Sequence, residues 1–273
     1  MFIKAPFQLS PYIKEIWYWK NVDSNLLPWI LPSYEIEAVF HLSNPPQVHR
    51  YMDEPITLSS FHWVGPQTKR WKIESKSKLN LISLRFHAGA PWELMRVKTP
   101  LMVNGFPEID MDSHALFLKL KPFLSGSHCL EESDVRYLAD HIGEAIGSHQ
   151  ITIAPIEASI KFAFSELTKA NAKVTDIEKK TGLSRKQIER GMKKIYGLNP
   201  GELGKIHRIL SLIRNPSNYK SENLNGRLTD ISHECGYVDQ SHFINDFKRI
   251  TGYLPKDWFK EFEKMSHFYN SNL

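Results

Sequence analysis

Ile231-Ser232-His233-Glu234-Cys235-Gly236-Tyr237-Val238-Asp239-Gln240-Ser241-His242-Phe243 reads as a short helix, a tight turn at glycine and the start of a second helix. The unit opens at Thr229-Asp230-Ile231 and runs on to Lys248, Gly252 and Pro255. An earlier copy carries the same marks at Thr175-Asp176-Ile177, Gly182, Ile188, Lys193, Gly197 and Pro200. The offset is 54 residues up to the turn glycine and 55 beyond it, so the second copy has one extra residue in its turn. Each copy outlines a helix-turn-helix, whose second helix enters the DNA major groove. One such outline is weak, because helix pairs joined at glycine are common. Two in matching register make DNA binding the leading expectation.

The charge distribution agrees. The chain has 273 residues and a formal net charge of +5, unevenly placed. Residues 1–150 hold 15 Lys/Arg against 16 Asp/Glu, a net −1, whereas residues 151–273 hold 20 against 14, a net +6. Phosphate neutralisation needs Lys and Arg gathered on one domain, and that is the half with the repeat. An apolar content of 41% suits a folded chain with two cores, expected over 1–150 and 151–273. Cys129 and Cys235 lie far apart without CxxC spacing, which argues against a disulfide framework and for a reducing compartment. Met1 to Lys14 lacks a signal-peptide core, and no run approaches the roughly 20 apolar residues of a membrane span. A cytoplasmic protein with no membrane partner is expected.

The first ~105 residues read as β structure. Ile36, Ala38, Phe40 and Leu42 alternate with Glu37, Val39 and His41, the period of a half-buried strand. Trp71 and Ile73 repeat the pattern, as do Ile82, Leu84 and Phe86. Asn44-Pro45-Pro46 and Gly65-Pro66 punctuate these runs, and the spacing suggests a sandwich or barrel. From about 113 the period turns helical, with Val135, Leu138, Ile142, Ala145 and Ile146 on one stripe. That stripe suits either a dimer contact or the chain's own core. Gly147-Ser148-His149-Gln150 suits a linker, and Pro155 a first helical position. Ile156, Ile160, Ala163, Phe164 and Leu167 form the next stripe. Thr175 with Glu178, and Ser184 with Gln187, have capping-box spacing. Leu203, Ile206, Ile209, Leu210 and Ile213 mark a long helix that would hold the two copies apart at a fixed distance. The fold class is therefore α+β: a β-sandwich or barrel-like domain with trailing helices, then an all-α tandem helix-turn-helix domain.

The segment from about Ile156 to Phe262 resembles the AraC/XylS family of bacterial transcriptional regulators. The resemblance is carried most specifically by Ile231–Phe243 and Phe247–Pro255, and by Gly182-Leu183-Ser184-Arg185-Lys186-Gln187-Ile188-Glu189-Arg190. A weaker similarity, over Leu81–Ala90, is to a strand and turn in the N-terminal domain of one branch, whose β domain is cupin-like. The resemblance implies a regulator, not an enzyme, that binds double-stranded DNA. Its implied partners are a small organic effector, RNA polymerase and a second copy of the chain as a homodimer. Carried over residue by residue, the DNA-contacting side chains are Arg185, Lys186, Glu189, Arg190 and Lys193 in the first copy. In the second they are Gln240, Ser241, His242, Asn245 and Lys248. Arg and Lys suit guanine edges or phosphate, Glu accepts from cytosine, and Gln and Asn suit adenine.

Two departures bear on the first copy. The family carries a small residue four positions before the turn glycine; Ser232 meets this, but Glu178 does not and is expected to point outward as a capping-box acceptor. Gly191 interrupts the first reading helix, where glycine costs about 1 kcal/mol relative to alanine, so a looser first unit is expected.

Six of the seven tryptophans fall in the first 92 residues. An aromatic interior could hold an effector, with Trp17, Trp19, Trp63 and Trp71 as walls and Glu35 or Arg85 as the orienting group. The alternative is that these rings simply fill a small core. His41, His49, His62 and His87 are scattered without a His-x-His pair, so neither metal nor cofactor is expected. No Gly-x-Ser-x-Gly, His-Glu-x-x-His or phosphate-loop pattern is present. The competing classes are an enzyme, or a protein-interaction domain, fused to a DNA-binding tail.

Overall fold

The computed structural model describes residues 2–4, 11–50, 53–124, 132–147, 152–169, 172–214 and 224–259. Among the described residues eight strands come first: β1 (Phe2–Lys4), β2 (Ile13–Val22), β3 (Glu37–His41), β4 (Gln47–Arg50), β5 (Ile56–Thr57), β6 (Phe61–Val64), β7 (Trp71–Glu74) and β8 (Leu79–Phe86). They form a five-stranded sheet ordered β1-β2-β8-β3-β6 and a three-stranded sheet ordered β5-β4-β7, every pairing antiparallel. Helix α1 (Ala90–Met95) follows, then α2 (Ala115–Leu124) and α3 (Glu132–Gly147).

Strand alternation sorts the large sheet into two buried faces. Ile82, Leu84 and Phe86 of β8, with Ala38 and Phe40 of β3, turn to one side. There they meet Leu116, Phe117 and Leu120 of α2 and Leu138, Ile142 and Ile146 of α3. The opposite phase carries Trp17, Trp19, Val39, Val64 and Leu81, which face Val48, Trp71 and Ile73 of the small sheet. Strand β3 is thus covered on both sides rather than half-buried, because helices occupy the face that a lone sandwich would expose to water. The α3 stripe is core of the same chain: Leu138 and Ile142 are 1% and 0% exposed. It is therefore not a surface through which two copies could associate.

The helical half runs α4 (Pro155–Leu167), α5 (Val174–Thr181), α6 (Arg185–Tyr196), α7 (Pro200–Ile213), α8 (Leu224–Glu234) and α9 (Gln240–Thr251). Pro155 opens α4 as expected. The division near residue 150, most of the linker and the connection from α7 to α8 fall outside the described residues. The turn glycines explain the repeat. Gly182 and Gly236 have φ of 68° and 73°, left-handed backbone that a residue with Cβ adopts only under strain. Gly197 and Gly252 end α6 and α9 in the same conformation.

Two local expectations are corrected. Thr175 does not cap α5; the helix starts at Val174 behind Lys173, with no side-chain cap. Glu178 instead reaches forward, its Oε1 accepting from the Arg185 backbone N–H at 2.6 Å, and so satisfies a free donor at the start of α6. Gly191 does not loosen the first unit. A Cβ there would overlap Cγ1 and Cδ1 of Ile160, itself 1% exposed, so the glycine lets α4 and α6 approach closely.

Two stability outcomes follow. Ile142→Ala should cost about 2–5 kcal/mol in denaturant unfolding, the range for emptying a buried aliphatic site. Gly191→Ala should destabilise by about 1–3 kcal/mol through overpacking. In an Ile160→Ala background the same change should be neutral or stabilising, by up to about 1 kcal/mol, as helix propensity alone dictates.

Candidate nucleic-acid interface and ligand cavity

Helix α6 is set by a reciprocal cap: Gln187 Oε1 accepts from the Ser184 N–H at 2.9 Å while Ser184 Oγ accepts from the Gln187 N–H. Its inner face buries Ile188, Met192, Ile195 and Tyr196. That leaves Arg185, Lys186, Arg190 and Lys193 exposed on the outer face, with Glu189 half-buried. Arg185 Nε donates to Glu189 Oε1 at 3.0 Å, so these two expected contact residues hold each other one turn apart. Lys186, Arg190 and Lys193 line one concavity of about 570 Å³, whose far wall includes Pro100 and Val103 of the β domain.

Helix α9 repeats the plan with different chemistry. Asp239 caps it, its Oδ1 accepting from the His242 N–H at 2.7 Å. Phe243, Asp246, Phe247 and Ile250 face inward. Ser241, His242, Asn245 and Lys248 are exposed and Gln240 is half-buried. Internal partners hold two of them: Gln240 Oε1 accepts from Thr229 Oγ1 at 3.4 Å, and His242 Nε2 lies 3.6 Å from Asp246 Oδ2. Asp246 also meets Lys205 of α7 at 3.4 Å and Arg249 at 3.1 Å, which ties α9 to the helix beneath it. Asn245 and Lys248 share a cleft of about 480 Å³ with Lys69 and Arg70 of the β domain. Neither Lys69 nor Arg70 is distinguishable in sequence from other surface cations, because only the tertiary fold brings that loop to α9. Arg70 stacks over Trp29 at 4.4 Å and donates to the Thr251 carbonyl at 3.4 Å.

The β domain has a second site between its sheets. Arg85 is the middle of a three-strand ladder, opposite Glu15 on β2 and Glu37 on β3. Its Nη1 donates to Glu15 Oε1 at 2.5 Å and its Nε to Glu37 Oε1 at 2.9 Å, and its guanidinium lies 4.1 Å from the Trp17 ring centre. Ser83 Oγ donates to Glu37 Oε2 at 2.7 Å. Glu35 takes Lys14 Nζ on Oε1 at 2.8 Å, while its buried Oε2 has no hydrogen-bond partner among the described residues and sits 3.8 Å from Arg85 Nε. Burial alone would raise the Glu35 pKa, but Lys14, Arg85 and Arg214 outweigh it and hold the carboxyl below its ordinary value.

Around this ladder are two adjoining cavities. The outer one, about 80 Å³, is lined by Trp17, Glu35, Trp71 and Arg85, and by Leu210, Ile213 and Arg214 of α7. The inner one, about 60 Å³, adds Trp19, His41 and His62. The structure thus gathers Trp17, Trp19, Glu35, Trp71 and Arg85, but not Trp63. That ring packs against Phe86 and Phe117 on the helix-covered face, since it is one residue out of phase with His62 and Val64. His41 and His62, expected to be scattered, are stacked with centroids 5.2 Å apart. His49 instead meets Glu74 at 2.9 Å on the small sheet. Among the described residues no group of three or more His, Cys, Asp or Glu could hold a metal ion, and no helix is long and apolar enough to cross a membrane.

Residues 177–261 match the helix-turn-helix domain family. No curated protein sequence matches the chain. Among solved structures, the chain is similar to ToxT from Vibrio cholerae in its P21 form, at 14% identity and a TM-score of 0.41, covering 90% of this chain and 96% of that one. ToxT from Vibrio cholerae O395 bound to (E)-4-(8-methylnaphthalen-1-yl)but-3-enoic acid gives 16% identity and a TM-score of 0.42, over 90% and 97%. Unsaturated fatty acid-bound wild-type ToxT from Vibrio cholerae strain SCE256 gives 14% and 0.40, over 89% and 90%.

Burial, with their mutual repulsion, pushes His41 down to about 3, and burial pushes His62 down to about 4. An unfolded histidine titrates near 6.5, so below that the unfolded chain binds more protons than the folded one. The stability from keeping these rings neutral is complete above about pH 6.5 and is lost as pH falls toward the folded values. The melting temperature should therefore drop from pH 7 to pH 5. His41→Leu should flatten that slope in thermal scans.

Proposed function

We propose that this chain, whose C-terminal segment is an AraC-type helix-turn-helix domain, is a transcriptional regulator that reads duplex DNA through both α6 and α9. The observation that carries the reading is that two capped helices present matched outer faces from one core, Arg190 and Lys193 on the first, Asn245 and Lys248 on the second. In this reading residues 1–150 form a sensing domain and 151–273 the DNA-binding domain. A small organic effector occupies the cavity walled by Trp17, Trp19 and Trp71, with Glu35 and Arg85 at its polar side. The protein acts in the cytoplasm, where it meets DNA and RNA polymerase. If a second copy binds, it does so elsewhere than the α3 stripe, which is buried.

The two reading helices carry different work. Charged contacts to phosphate release counterions regardless of sequence, whereas an amide reading a base discriminates by about 1–3 kcal/mol. Lys193→Ala should weaken cognate and random DNA alike and reduce the salt slope by about one. Asn245→Ala should mainly narrow the gap between cognate and random DNA. Fluorescence anisotropy across a salt series checks both. Equal loss of cognate preference in the two variants, with unchanged salt slopes, contradicts the division of roles.

A further inference from the structure

The inner cavity has a polar end that the regulator reading does not use. Glu37, Val39 and His41 of β3 share one phase, as do His62 and Val64 of β6, so both imidazoles turn toward the small sheet. His62 Nδ1 lies 3.0 Å from the Ser59 carbonyl oxygen, so that nitrogen carries the proton and donates. His41 is 5% exposed, and among the described residues neither of its ring nitrogens has a hydrogen-bond partner. A neutral imidazole is at once one donor and one acceptor, and a buried polar group of this kind is costly unless it is bonded. Apart from Glu37, Ser83 and Arg85, the rest of the wall is apolar, built by the indoles of Trp17, Trp19 and Trp71 with Val39, Ile73 and Leu81.

The charges near this cavity disfavour an anion at the inner end. Glu15, Glu35 and Glu37 cluster around Arg85, whose nitrogens are engaged by Glu15 and Glu37, and Lys14 is engaged by Glu35. Arg214 lies at the outer cavity, on α7. Among the described residues, no cation lines the inner cavity beyond Arg85. We infer that this compartment, together with the adjoining outer cavity with which it shares Trp17, Trp71 and Arg85, binds an uncharged aromatic molecule of the phenol class, its ring among the three indoles and its hydroxyl hydrogen-bonded to His41. A hydroxyl both donates and accepts, which matches what a neutral imidazole offers. This assignment rests on the effector reading above and names the ligand's chemistry.

The test uses the full chain with 4-methylphenol, toluene and 4-methylbenzoate as probes, followed by calorimetry. The expected order is 4-methylphenol at least tenfold tighter than either of the others. His41→Leu should reduce 4-methylphenol to the toluene level while leaving toluene unchanged. His41→Gln, which keeps a donor and an acceptor, should retain part of the preference. Three results would overturn the inference: 4-methylbenzoate binding as tightly as 4-methylphenol, equal loss of toluene and 4-methylphenol in His41→Leu, or no saturable binding of any probe. If His41→Leu does not fold, the selectivity of the unaltered chain decides alone. DNA affinity measured on the same preparations separates the two readings, since intact DNA binding with no phenol binding overturns only the ligand assignment.

Discussion

Helix α7 is the constraint on which the DNA-facing geometry depends. Its buried residues Leu203, Ile206, Ile209, Leu210 and Ile213 belong to a single hydrophobic core that also takes in Ile188 and Met192 of α6 and Phe243 and Phe247 of α9. At 14 residues the helix is about 21 Å long. It contacts α4, α6 and α9 directly, so the two reading helices are set apart by shared packing and not by a tether. Lys205 on α7 adds a polar strut to Asp246 of α9, and Lys180 of α5 reaches Glu166 of α4 at 2.5 Å. In the proposed reading, both units fixed on one core let one chain address successive major grooves, which recur about every 34 Å.

The β domain closes around this helical unit. Thr99 and Val103 crowd Gly197 at the end of α6, and the Arg70 guanidinium occupies the space beside Gly252 at the end of α9. Arg96 and Trp92 bond Glu157 near the start of α4, and the Tyr34 hydroxyl lies 3.1 Å from His207 Nδ1 on α7. Leu210, Ile213 and Arg214 complete the wall of the outer cavity. The outer cavity and helices α6 and α9 therefore share one element, α7.

How much of this is legible in sequence depends on whether a residue's role is local. The turn glycines, the Ser184–Gln187 cap and the apolar stripes are local, so both helix-turn-helix units can be read before any fold is known. Glu178 and Gly191 mislead because their partners lie on another helix: Glu178 caps α6, seven residues on, and Gly191 makes room for Ile160 of α4. The α3 stripe shows that Leu138 and Ile142 are covered, yet periodicity does not say by what. Trp63 fails as a cavity residue by a single step of strand phase. The pairing of His41 with His62 depends on strand register, Val39 lying opposite His62, which composition does not encode.

The central claim is that both units touch DNA from one rigid frame. Hydroxyl-radical footprinting of the full chain on a site found by genome-wide mapping tests it most directly. The account predicts two protected stretches on one face of the duplex, about one helical turn apart for each bound chain. A single protected groove, unchanged by Lys186→Ala and Arg190→Ala, would contradict it.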